Sequence, residues 1–134
     1  MIGAVIITHG GLAGSLKEAA EAIAGKIDGV RTVSVTRSDT TESVRALLAS
    51  AIKEVSAGDG AILFTDMFGG TPTNIALSFM EDGRVEVITG VNLPMILKFV
   101  GHRTEKGLSG LAVMLKEYGQ SSIVLPGDIL KERK

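Results

Sequence analysis

His9 and Asp66 are the residues in this sequence whose type and setting point to chemistry. His9 follows a short apolar run (Ile2, Ala4, Val5, Ile6, Ile7) and precedes Gly10-Gly11; Asp66 follows Ala61 to Thr65 (AILFT) and precedes Met67-Phe68-Gly69-Gly70-Thr71-Pro72. Each sits at the tip of a buried strand, just before a glycine-containing turn into a helical pattern. A carboxylate that accepts one ring N–H of an imidazole fixes its tautomer and bares the other nitrogen, a nucleophile toward a phosphoryl group, a metal or an acyl carbon. The turns favour phosphorus. Gly10-Gly11 and Gly69-Gly70-Thr71 offer backbone N–H groups without Cβ obstruction beside two helix N-termini, a setting for an anion. No GxxxxGK[ST] loop is present, so the phosphate is not expected to arrive as a nucleotide. Taken singly, His9 reads equally well as a turn residue, Asp66 as a helix cap, and Gly69-Gly70 more often as a plain turn. What raises them above that is the prospect that they meet.

That prospect depends on the elements carrying them. Leu12, Leu16, Ala19, Ala20, Ile23 and Ile27 recur at helical spacing up to Gly29, and Val30, Val33 and Val35 alternate with polar residues as a strand does. Arg37 to Thr41 supplies loop and cap residues before a helix through Val44, Leu47, Leu48, Ala51, Ile52 and Val55. After the AILFT strand, Thr71 is the expected cap and Pro72 the first position of a helix through Ile75, Leu77, Phe79 and Met80. Val85, Val87 and Ile88 form a fourth strand, and Asn92-Leu93-Pro94 caps a helix bearing Met95, Ile96, Phe99 and Val100. His102 to Gly107 is polar, with His102, followed by Arg103, expected in solvent. Leu108, Leu111, Ala112 and Leu115 mark a last helix ending at Tyr118-Gly119, Ser122 to Leu125 (SIVL) a short fifth strand, and Lys131 to Lys134 a frayed end.

Strand-helix alternation predicts a doubly wound α/β fold: a mostly parallel sheet of about four strands, order 2-1-3-4, with helices on both faces and a short antiparallel C-terminal edge strand. In that order the first and third strand tips are neighbours, and their helices leave to opposite faces. His9 and Asp66 would then converge beyond the carboxyl ends of the strands, where open parallel sheets bind ligands.

The totals narrow the function. At 134 residues, 45% of them hydrophobic, residues 1–134 read as one domain. With no cysteine there is neither a disulfide framework nor thiolate chemistry. A formal net charge of -1 supplies no field to draw the protein onto nucleic acid or an anionic membrane. The first strand begins without a basic leader, and no apolar run approaches the ~20 residues of a membrane span, so a soluble, cytoplasmic protein is expected. No metal or other cofactor is implied. A metal hydrolase built on His9, Asp66 and His102 would need further ligands that the motifs do not offer. Phe68, inside a glycine-rich loop, completes neither a helical nor a strand stripe, and if exposed it is a partner-docking anchor.

At THG, TDMFGGTPTN and TGVNLPM, in that order, the chain resembles the mannose-family IIA domain of the bacterial phosphoenolpyruvate-dependent sugar phosphotransferase system, from Met1 to about Tyr118. The phosphocarrier subunit of dihydroxyacetone kinase, a related branch, has a glycine-poorer loop after its aspartate. The resemblance implies a phosphotransferase in which His9 takes a phosphoryl group from HPr and passes it to a histidine of a IIB protein, with Asp66 orienting the imidazole. It implies that Thr71 lies beside the phosphate and that Gly69, Gly70 and Asn92 fall in the loops framing it, where the residues themselves also point to Gly10; Phe68, where many members have tryptophan, and Asn92 are expected at the docking surface. It also implies a homodimer, in some members with a carboxyl-terminal strand exchanged between subunits, a part Ser122 to Leu125 would play. With no IIB segment in these residues, the acceptor is expected on a separate polypeptide, and the membrane to be approached only through IIB, IIC and IID subunits. The alternative is a phosphorylation-dependent regulatory protein with no transport role.

Overall fold

The computed structural model describes residues 1–132. Four strands, β1 (Gly3–His9), β2 (Val30–Val35), β3 (Ala61–Thr65) and β4 (Val85–Ile88), pair in the order β2-β1-β3-β4, and every pairing is parallel. The expected order is the observed one. Between and after them lie α1 (Leu12–Ala24), α2 (Thr41–Val55), α3 (Gly70–Leu77), α4 (Leu93–His102), α5 (Leu108–Ser121) and α6 (Pro126–Glu132).

The two-residue period of the strands divides the core into two layers. Ala4, Ile6, Ile62 and Phe64 face α1, α4 and α5 through Ala13, Ala20, Ile96, Phe99, Leu111 and Leu115. Val5, Ile7, Ala61 and Leu63 face α2 and α3 through Val44, Leu48, Val55, Ile75 and Ala76. Both faces of the central strands are sealed, which is why they read as unbroken apolar runs. Truncating one of these side chains, such as Leu48, to alanine costs about 2–5 kcal/mol. The helices after β1 and β3 do leave to opposite faces, opening a crevice between the two strand tips.

Several boundaries depart from expectation. α1 stops at Ala24, closed by Gly25, whose N–H reaches the Glu21 carbonyl; Ile27 is buried but lies beyond the helix. α3 begins at Gly70 with Gly69 as its cap residue, so Thr71 does not cap it and Pro72 is its third position. It ends at Leu77, where the Ser78 hydroxyl donates to the Ile75 carbonyl, and Phe79 lies in a turn with Met80 just beyond it. Ser122 to Leu125 is not a strand. α5 continues to Ser121, the Ser121 and Ser122 hydroxyls both donate to the Tyr118 carbonyl, and Pro126 opens α6 after a short irregular stretch. A segment gains a strand's hydrogen bonds only by pairing along a sheet edge, and residues 122–125 pair with none. Lys131 lies in α6, and residues 133–134 lie outside the described residues.

Arg103 stands in a polar stretch yet is buried. It is 6% exposed, and it donates from Nε to the Ile2 carbonyl, from Nη1 to the Asp28 carbonyl and from Nη2 to the Gly29 carbonyl, with its guanidinium over the Phe99 ring. Burial pushes the guanidinium pKa down, against the pull of Asp28. His102 beside it pairs with Glu105 at 2.8 Å.

Candidate functional site

Register brings the two strand tips together. Ile7 pairs with Thr65, so His9 ends β1 two residues further on and Asp66 follows β3 by one. Across the tips, His9 Nδ1 lies 2.7 Å from Asp66 Oδ2, and the His9 backbone N–H donates to the same oxygen at 3.0 Å. Asp66 Oδ1 is buried with no hydrogen-bond partner among the described residues, so one oxygen carries the carboxylate's whole engagement.

Burial would raise the Asp66 pKa. The hydrogen bonds from the His9 ring and backbone, with the attraction of the ring, outweigh it and hold the carboxyl below the usual range. An ionised carboxylate only accepts, so the proton of the 2.7 Å contact belongs to Nδ1. In the neutral ring Nε2 is then bare, and half of the His9 side chain is exposed against 13% for that of Asp66.

Gly70 explains the space around the bare nitrogen. A Cβ built there would stand 3.2 Å from His9 Cε1 and 3.3 Å from Nε2, and its φ of +82° is one that L side chains rarely adopt. A glycine lets the start of α3 lie against the reactive edge of the ring. The first-turn N–H groups of α3 have no intrahelical acceptor, no side chain caps them, and no acidic residue occupies that turn. Gly10 contributes differently from expectation: its N–H is spent on the Val35 carbonyl at 2.9 Å, so it shapes the turn and is no free donor for an anion.

Phe68 is 80% exposed, beside an exposed Met67. It stands at one end of a cavity of about 520 Å³ along the open edge of β4, with Val87, Asn92, Val113 and Ile123 among its walls. Asn92 uses both ends of its amide: Oδ1 caps α4 by accepting the Met95 N–H, and Nδ2 donates to the Gly119 carbonyl of α5. His102 closes α4, next to the Arg103 that binds Ile2 at the amino end of β1, and so lies far from His9 and Asp66 in the fold. Among the described residues, no group of three or more His, Asp or Glu side chains is placed to hold a metal ion.

Three buried threonines escaped the sequence reading. Thr8 Oγ1 accepts the Ala13 N–H and sets the start of α1 just beyond His9, while Thr65 and Thr73 bond to each other beneath the Asp66 loop. For Thr8 and Thr65 the signal was a hydroxyl at the end of an otherwise apolar strand; Thr73, inside α3, had none.

The family described as "PTS system fructose IIA component" matches residues 3–115. The chain belongs to this mannose-type IIA family of the sugar phosphotransferase system. It is 30% identical over 135 residues to the fructose-specific EIIA component of Bacillus subtilis (strain 168), covering 100% of this chain and 92% of that one. It is 27% identical over 124 residues to the mannose-specific EIIAB component of Escherichia coli (strain K12), covering 91% of this chain and 38% of that longer protein. Among solved structures, the mannose/sorbose specific IIA subunit from Enterococcus faecalis superposes with a TM-score of 0.82 at 28% identity, covering 92% of this chain and 93% of that one. Component EIIA from Streptococcus agalactiae, at 24% identity, shares the fold with a TM-score of 0.86, over 96% of this chain and 99% of that one. The IIA component is a sugar-system phosphocarrier. The family expected from the three motif blocks is the family found, and no described helix is long and apolar enough to cross a membrane.

Proposed function

We propose that this IIA component accepts a phosphoryl group on His9 Nε2 from HPr and passes it to a histidine of a separate IIB protein. One observation carries the reading: Asp66 engages Nδ1 at 2.7 Å and thereby leaves Nε2 unprotonated at an exposed edge. The Nε2 lone pair forms a bond to phosphorus as the donor's N–P bond breaks, and the same steps in reverse load the acceptor. Gly69, Gly70 and Thr71, at the uncapped start of α3, supply backbone N–H groups and the positive end of the helix to the phosphoryl oxygens. Such transfer needs little beyond positioning and charge stabilisation.

Phe68 is the docking anchor of this proposal because its ring is exposed beside the site, and Asn92 shapes the floor next to it. A homodimer is proposed as well. The free edge of β4, the adjoining cavity and the exposed Ile123, Val124 and Leu125 support it. Residues 1–134 act as one cytoplasmic unit that meets the membrane only through IIB, IIC and IID subunits.

The test is incubation with phosphorylated HPr followed by mass spectrometry that preserves acid-labile phosphohistidine. One phosphoryl group is expected on His9 and none on His9→Ala. Undiminished labelling of that variant would falsify the proposal.

A further inference from the structure

We infer that Thr73 is a positioning residue for the His9–Asp66 pair, acting through one buried hydroxyl. The inference rests on the carrier reading above and names the group that keeps its geometry. Thr73 lies in the first turns of α3 and is fully buried. Its Oγ1 is 2.5 Å from the Met67 carbonyl oxygen and 2.8 Å from Thr65 Oγ1. A carbonyl has no proton to give, so the Thr73 proton goes to Met67 and the Thr65 hydroxyl donates in turn to Thr73. Met67 and Thr65 are the residues on either side of Asp66. One oxygen therefore clasps the chain before and after the carboxylate and ties both to the helix whose start lies against the His9 ring.

The clasp continues outward. The Thr65 carbonyl accepts the Val91 N–H at 3.0 Å, which holds the loop before α4 to the same point. Asp66 itself has one engaged oxygen and one without a partner, so its own hydrogen bonds fix it on the His9 side alone. Orientation on the other side must come from the backbone, which the sheet holds at Thr65 and the Thr73 hydroxyl holds at Met67. Without it the Met67 carbonyl loses its donor and the loop Met67 to Gly69, with its exposed tip, is free to shift. A displacement of the carboxylate by a fraction of an ångström loosens its hold on Nδ1, and the ring proton then divides between the two nitrogens.

The experiment compares Thr73→Val, which removes the hydroxyl, with Thr73→Ser, which keeps it. Two readouts are taken: the rate of phosphorylation by phosphorylated HPr, and the nitrogen chemical shifts of the His9 ring, which report the tautomer without any donor present. Thr73→Val should be phosphorylated about tenfold more slowly and show a mixed tautomer, and Thr73→Ser should restore both. A valine variant with unchanged rate and tautomer overturns the inference. So does one that is slow with its tautomer unchanged, or a serine variant as impaired as the valine one. Should the valine variant fail to fold, the unaltered protein decides: the Thr73 hydroxyl proton must exchange slowly with water, and fast exchange overturns the clasp. Failure of the unaltered protein to take up phosphate would sink the carrier reading instead, and the tautomer comparison would still judge Thr73.

Discussion

At its carboxyl end β1 delivers His9 to a carboxylate from the next strand, and at its amino end the Ile2 carbonyl, just before the strand, receives a guanidinium from the end of α4. Both arrangements use a charged side chain to join segments remote in sequence. Arg103 spends Nε, Nη1 and Nη2 on three carbonyls, covers an aromatic ring and is 6% exposed. The His9–Asp66 pair keeps Nε2 unspent, and the His9 side chain is half exposed. Where every nitrogen is engaged the chemistry ends in holding the fold. Where one is spared, it can be directed at another molecule.

This contrast is open to attack at both ends. The largest effect is expected at the closed one. Arg103→Ala strips donors from three carbonyls and should cost about 3 kcal/mol of stability, with His9 phosphorylation unchanged in the protein that remains folded. Urea unfolding with a parallel labelling assay checks this, and a loss of transfer without a loss of stability would erase the distinction.

At the open end, Asp66→Ala should slow phosphorylation about 10- to 100-fold, because the ring loses its fixed tautomer, while the fold persists. A normal transfer rate is the result that breaks the account. The same residue carries a pH signature. Its pKa is lower folded than unfolded, so its contribution to stability is complete above about pH 4 and drains away as the pH falls through the depressed folded value. A series of urea midpoints between about pH 5 and pH 2 should fall less steeply for Asp66→Ala than for the unaltered protein. The smallest effect belongs to Phe68→Ala, expected to weaken HPr docking by about 1 kcal/mol, read as a roughly fivefold rise in KM at constant kcat.

The site was more legible than the Arg103 cluster, for physical reasons. Continuous apolar runs such as AILFT, bounded by turn residues, read as strands buried on both faces, and the commonest small doubly wound order then places β1 beside β3, so the approach of His9 to Asp66 was open to expectation. Arg103 gave no such sign. It stands among His102, Thr104, Glu105 and Lys106, and its partners Ile2 and Asp28 are 101 and 75 residues away, so nothing local reveals its burial. Thr71 and Pro72 made a sound cap and first position by type. The positive-φ pair Gly69 and Gly70 nonetheless starts the helix earlier, and at Gly70 the nearby imidazole leaves little room for a side chain. Ser122 to Leu125 has the side chains of a strand, but β pairing is a relation between two segments, and this one pairs with neither edge of the sheet.

The doubled grip of Asp66 Oδ2 on both the ring and the main chain of His9 bears on the order of events during turnover. A ring tethered in this way presents a single nitrogen from a single direction. On the proposed reading, the protein that loads it and the protein that empties it must stand in the same place, so they take turns. Steady-state rates measured against both partners then form the parallel lines of a double-displacement cycle, and an excess of either one obstructs the other.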